Sequence, residues 1–131
     1  MSTHPNAASA RANFDRFVQG DVAGLLGLFA DDAVWHVPGA SAVAGDYRGR
    51  EEIGSLMRQT AELSDGTYWV EPLWVLADDE HVVAVYRARG QRAGGRTLDI
   101  QQALLIEVRD GLWTDIRAQP LDQAAFDEFW A

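Results

Sequence analysis

The stretch from residue 97 to 109 alternates, with only Ala103 and Leu105 apolar on its polar side. Leu98, Ile100, Gln102, Leu104, Ile106 and Val108 fall on one side of an extended chain, and Thr97, Asp99, Gln101, Glu107 and Arg109 fall on the other. A period of two sustained this long marks a β-strand with one buried and one wet face. Such a strand needs neighbours to be stable, and the flanking turns supply them. Asp78-Asp79, Gly94-Gly95 and Asp110-Gly111 are strong hairpin residues. They divide the second half of the chain into four extended segments, at about 67–77, 81–91, 96–109 and 112–119. The expected product is an antiparallel meander.

The first half has a different period. Ala10, Phe14, Phe17 and Val18 recur at helical spacing and place a helix over about 6–19. Gly20-Asp21 interrupts it, and Asp21 can cap a second helix carrying Val22, Leu25, Leu26 and Phe29 and ending near Asp31-Asp32. Ala33 to Val37 is β-branched and aromatic, stops at Pro38-Gly39, and reads as a short strand. Residues 38–49 read as a loop. A third helix follows over about 50–64, with Ile53, Leu56, Met57, Thr60 and Leu63 in period, and a last one over about 122–130, capped by Asp122. Helices first and a meander second make an α+β domain with helices on one sheet face.

The chain has 131 residues, the length of one domain; the expectation is a disordered N-terminus over 1–5 and a single domain over 6–131. There is no cysteine, which excludes disulfides and zinc–thiolate sites. With 11 Lys+Arg against 20 Asp+Glu the net charge is −9, which speaks against nucleic acid or an anionic membrane as partner. No apolar run approaches the ~20 residues of a membrane span, and the first residues lack the layout of a secretory signal. A cytoplasmic protein is expected. No His/Asp/Glu spacing resembles a metal site, no phosphate-binding loop is present, and no serine sits in a nucleophile elbow. The sequence therefore calls for no metal and no cofactor.

Three local signatures, in order, extend this reading. Leu28-Phe29-Ala30-Asp31-Asp32-Ala33-Val34-Trp35 is a helix-to-strand passage. Gly45-Asp46-Tyr47-Arg48-Gly49-Arg50-Glu51-Glu52-Ile53 leads into the third helix. Asp110-Gly111-Leu112-Trp113-Thr114-Asp115-Ile116-Arg117 is a hairpin. With the element order α-α-β-α-β-β-β-β-α, they resemble the nuclear transport factor 2 superfamily, the ketosteroid-isomerase-like cone fold. Trp35-His36-Val37-Pro38-Gly39 is most similar to its polyketide-cyclase-like (SnoaL-like) branch. The resemblance implies a curved antiparallel sheet wrapped around helices to form a cone with an internal pocket. It also implies pairing through the sheet face into a homodimer. The fold is shared by isomerases, cyclases, epoxide hydrolases, small-molecule binders and assembly modules, so function has to be read from the pocket.

Carried over by motif position, the implied pocket lining begins with Phe14 and Phe17 on the first helix, Trp35 and Val37 on the first strand, and Met57 on the third helix. The sheet would add Val85, Arg87, Ile100, Gln102, Ala118 and Pro120. The carboxylates of the related enzymes are not matched. Val37 stands where ketosteroid isomerases carry their base, and Gln102 or Ala103 stands where they carry a protonated aspartate. The Asp–Arg–Asp set of the epoxide hydrolases falls on Arg87, Val85 and Ala118.

Three polar residues stay as catalytic candidates. A guanidinium inside a cone demands an anion, so Arg87 either clamps a carboxylate or enolate oxygen of a ligand, or pairs with a nearby Asp or Glu, or sits at the rim. Gln102 either orients a ligand or is a buried amide satisfied by backbone. His36 has the ordinary pKa of a general base, but strand alternation turns it away from Trp35 and Val37, which favours a structural or interface role. Asp99 and Asp115 lie opposite the implied lining and are expected to meet arginines such as Arg117. Of the five tryptophans, Trp69, Trp74 and Trp113 lie on strands and suit either an interface or the core, and Trp130 suits a lid over the cone mouth or a cover for a sheet edge. The sequence thus points to a small-molecule-binding protein, with isomerase, cyclase or hydratase chemistry on a largely apolar substrate as one possibility. The alternative is a non-catalytic ligand-binding or dimerisation module.

Overall fold

The computed structural model describes residues 4–131. Four helices, α1 (Pro5–Val18), α2 (Val22–Leu26), α3 (Gly49–Leu63) and α4 (Gln123–Trp130), pack on one six-stranded sheet. Its strands are β1 (Phe29–Val37), β2 (Gly45–Arg48), β3 (Trp69–Ala77), β4 (His81–Gln91), β5 (Thr97–Arg109) and β6 (Leu112–Pro120), in the spatial order β2-β1-β6-β5-β4-β3. Neighbours are antiparallel except β1 and β6, which run parallel. The sheet is curved and unclosed, with β2 and β3 at its two edges.

The four strands of the second half fall within two residues of their expected bounds, because their turns are written in residues that have few other uses. Asp110 and Gly111 both adopt positive φ, at 53° and 79°, as a two-residue hairpin turn requires. The helix caps also follow the sequence: the side chains of Asp21 and Asp122 accept from Gly24 N and Ala125 N.

Three boundaries differ from expectation. Residues 1–3 of the expected disordered segment lie outside the described residues, while His4 and Pro5 are ordered. His4 Nδ1 accepts from Asn6 N at 3.0 Å, and Pro5 opens α1. The second helix stops at Leu26, and Phe29 begins β1 instead of completing a helical stripe. The reason is tertiary. Phe29 pairs with Trp113 across the parallel β1–β6 ladder, and Trp113 N donates to Leu28 O at 2.9 Å. Finally, the expected loop 38–49 contains β2, a short edge strand paired with Val34–Val37. Its residues carry no alternation of their own, so the neighbouring strand induces it.

The core lies between the sheet and the helices. α1 packs on β3 and β4, α3 on β1, and α4 on β5 and β6. The approach of α4 is close enough to need a glycine: a Cβ on Gly90 would stand 3.1 Å from the tip of the Phe129 ring. Phe29 sits fully buried, stacked on Trp113 with ring centroids 5.3 Å apart and tilted against Trp35 at 6.0 Å. Truncating Phe29 to Ala removes this contact set, and a loss of about 3–5 kcal/mol is expected. Urea denaturation should show it as a lower midpoint with an unchanged slope.

Candidate functional site

A cavity of about 100 Å³ opens between the helices and the concave sheet face. α1 contributes Asn13, Phe14 and Phe17, and α3 contributes Leu56, Met57 and Thr60. β1 brings in Trp35 and Val37, and the sheet floor is Tyr86, Gln102, Leu104 and Ala118. The far end is closed by Tyr68, Phe126 and Trp130. Trp130 is buried and makes edge contacts to Tyr68 and Phe129, at centroid distances of 5.1 and 4.6 Å. Ala42 N donates to Trp130 O at 3.1 Å, which ties the 38–44 loop, with Val43 on the wall, to the end of α4.

The wall is almost wholly apolar, and its titratable side chains are the two tyrosines. Burial holds both phenols protonated: the Tyr68 hydroxyl is pushed up to about 12, and that of Tyr86 well above its ordinary value. Gln102 Nε2 donates to Tyr86 Oη at 2.7 Å and lies 3.5 Å from Tyr68 Oη. The other polar wall residues are engaged with backbone. Asn13 Nδ2 donates to Leu25 O at 3.1 Å, and Thr60 Oγ1 donates to Met57 O at 2.8 Å.

Seven of the expected residues are brought together on the wall: Phe14, Phe17, Trp35, Val37, Met57, Gln102 and Ala118. Ile100 and Pro120 share the sheet face with Gln102 but do not line the cavity. Val85 and Arg87 are corrected outright, because they lie on the outer face. Residues directly opposed in an antiparallel ladder share a face, and Gln102 is opposed by Tyr86, while Arg87 is opposed by Gln101. The expectations that Gln102 and Arg87 both point inward exclude one another in this register. The motif position that placed Arg87 sets no register. A strand starting at Arg96 would have carried Arg87 inward, but Arg92 N donates to Arg96 O at 2.9 Å to close the turn, and pairing begins at Gln91–Thr97. The same register hid Tyr86 from the sequence reading. Counting from a five-residue turn over 92–96 would have found it. Tyr68, next to the strand boundary, carried no comparable signal.

The charged candidates populate the outer face. Arg87 Nε and Nη2 each donate to Asp99 at 2.7 Å in a bidentate pair. The shared hydrogen bonds raise the arginine and lower the aspartate from their ordinary values. The anion that Arg87 demands is therefore Asp99. His36 faces outward, as alternation predicts, and bridges two carboxylates. Its Nδ1 lies 2.8 Å from Asp46 on β2 and its Nε2 lies 2.7 Å from Asp115 on β6. Arg117 Nε stands 3.6 Å from Asp115. Trp69 is covered by Arg89, 4.9 Å from the ring centroid to the guanidinium carbon. Trp113 is in the core, so of the strand tryptophans only Trp74 offers a broad exposed face.

A family model for the SnoaL-like domain matches residues 10–116, and the chain belongs to this family. It is 40% identical over 122 residues to the uncharacterised protein Rv0034 of Mycobacterium tuberculosis, covering 92% of each chain. The solved structure of Bal32a, from a soil-derived mobile gene cassette, superposes with a TM-score of 0.91 at 35% identity over 96% of both chains. TerC, co-crystallised with polyporic acid, superposes at a TM-score of 0.84 and 22% identity, covering 96% of this chain and 98% of its own.

The His36 bridge makes stability pH-dependent. Burial alone would lower the histidine's pKa, but the hydrogen bonds to Asp115 and Asp46 outweigh it and hold the value above 6.5. The contribution is complete below 6.5 and is lost as pH rises through the elevated folded value. Asp46, lowered by its hydrogen bond to His36, acts in the opposite sense: its contribution is present above 3.8 and fades as pH falls through the folded value. The melting temperature should therefore decline on the alkaline side of about 6.5. His36→Asn should flatten that decline in a series of thermal melts across the neutral range.

Proposed function

We propose that this protein binds a small, uncharged, largely apolar molecule in the cavity between α1, α3 and the sheet. The observation that carries this reading is an apolar cavity of about 100 Å³ whose wall, among the described residues, holds no carboxylate, imidazole, ammonium or guanidinium group. An apolar cavity of roughly 150 Å³ suffices for benzene in a well-packed protein; the space here is smaller, so the ligand is no larger than a single ring. A charged ligand would lose its hydration and find no counter-ion, which is costly. TerC, which shares the fold, was co-crystallised with polyporic acid, which supports small-molecule binding on this fold but not the charge or size of the ligand here.

Binding without turnover is favoured over isomerase, cyclase or hydratase chemistry. A proton-transfer mechanism needs a group that exchanges a proton near the working pH. The two cavity tyrosines are held as neutral phenols and can donate hydrogen bonds, but they offer no base. His36 and Arg87, the other catalytic candidates, face away from the cavity.

Pairing into a homodimer through the outer sheet face belongs to the same proposal. Trp74 and Leu76 on β3 and Leu105 on β5 are 40%, 50% and 43% exposed, and Val83 and Val85 lie between them on β4. A contiguous apolar stripe of this kind suits an interface. Sedimentation equilibrium should give a dimer mass that Trp74→Glu shifts toward monomer; a monomeric wild type would remove the dimer from the proposal.

Binding is tested with benzene, read by tryptophan fluorescence and by the shift in melting temperature. Trp35, Trp113 and Trp130 all line the cavity and serve as reporters. The wild type should saturate, and its melting temperature should rise with ligand concentration as linkage requires. Ala118→Leu, which fills the cavity from the sheet floor, should lose both signals. Absence of saturable binding to the wild type would overturn the reading.

A further inference from the structure

The polar atoms of the cavity are gathered at one point on its floor, and one of them is unused. Gln102 is 2% exposed, and its Oε1 has no hydrogen-bond partner, the sole buried side-chain polar atom in that state among the described residues. Its Nε2 is engaged by the Tyr86 hydroxyl at 2.7 Å, with the Tyr68 hydroxyl at 3.5 Å. Each tyrosine oxygen receives that amide as an acceptor and still carries its own O–H. The floor thus presents one free acceptor beside two free donors, within an otherwise apolar wall. A buried carbonyl is seldom left without a donor, and a complementary group must supply both halves of the exchange.

We infer that the ligand of this cavity carries an uncharged hydroxyl group, which donates to Gln102 Oε1 and accepts from Tyr86 or Tyr68. The inference rests on the small-molecule reading above and narrows it to neutral alcohols and phenols on a compact apolar skeleton. A hydroxyl is the smallest group that both donates and accepts from one atom. A ketone or ether leaves Oε1 bare. A carboxylate meets Oε1 as a second acceptor and finds no cation on the wall. Should the two ends of the amide be exchanged, a ketone or ether would be served as well as a hydroxyl, and the ligand series separates these cases.

The test compares phenol with benzene, anisole, benzaldehyde and benzoate at neutral pH, by calorimetry and thermal shift on the full-length protein. Phenol is expected to bind at least about tenfold more tightly than benzene or anisole, the value of one well-placed hydrogen bond. Benzoate should not bind. Gln102→Met, of similar volume and without the amide, should lose the preference for phenol over benzene. Tyr86→Phe leaves the Gln102 carbonyl in place and should reduce the preference by several-fold, which keeps the inference testable if the first variant does not fold. Equal binding of phenol and benzene to the wild type would overturn the inference while leaving the cavity reading intact. Anisole or benzaldehyde binding as tightly as phenol would overturn it in favour of an acceptor ligand. Failure of every compound, benzene included, would overturn both.

Discussion

The pairing of Tyr86 with Gln102 across β4 and β5 governs what this molecule can do. These are the two longest strands, and their register decides which side chains of the central sheet face the helices. With this register the floor of the cone receives a phenol and a carboxamide, and the outer face receives Arg87 with Asp99. Shifted by one residue, the cone would contain a guanidinium, and the cavity would select anions. The chemical character of the site therefore depends on a turn far from it, closed between Arg92 and Arg96.

The cavity exists because the sheet curves while the helices span it as straight rods. Side chains fill most of the gap, and aromatic rings do so with the fewest ordered torsions. Phe29 is stacked on Trp113 and tilted against Trp35 along one side of the wall, and Tyr68, Phe126 and Trp130 close the far end. The space left is small, and its wall is apolar apart from the Gln102 cluster. Such a wall cannot hold a charge, and it sets the two tyrosines as neutral donors by the same burial that makes it apolar.

The outer face is the electrostatic counterpart. The ionic groups that a catalytic reading would want inside are satisfied there by one another, in the Arg87–Asp99 pair and in the His36 bridge between Asp46 and Asp115. The bridge has a mechanical place as well, since it joins β2, an edge strand held by one neighbour, to β1 and β6. β2 continues from the 38–44 loop that carries Val43 onto the cavity wall and bonds to the end of α4. The acidic excess of the chain is thus distributed over a surface with few bases to spare.

Much of this was legible in the chain itself. The alternation of residues 97–109, the turn pairs and the aspartate caps are local signals, each decided by the conformational preferences of a few adjacent residues, and they determine the α+β class, the meander and most element bounds. Phe14 and Phe17 also share a helical stripe, and the family resemblance, carried over by motif position, puts them with Trp35 and Val37 on the cavity wall. What the tertiary structure decided is everything that depends on register or on a distant neighbour. Phe29 leaves a helical pattern to pair with Trp113, residues 45–48 become a strand only beside β1, and Arg87 and Tyr86 exchange faces on a one-residue difference at a turn. The physical reason is common to all three. Side-chain direction within an element follows from its own backbone, but which face becomes the inside is settled only when that element meets another.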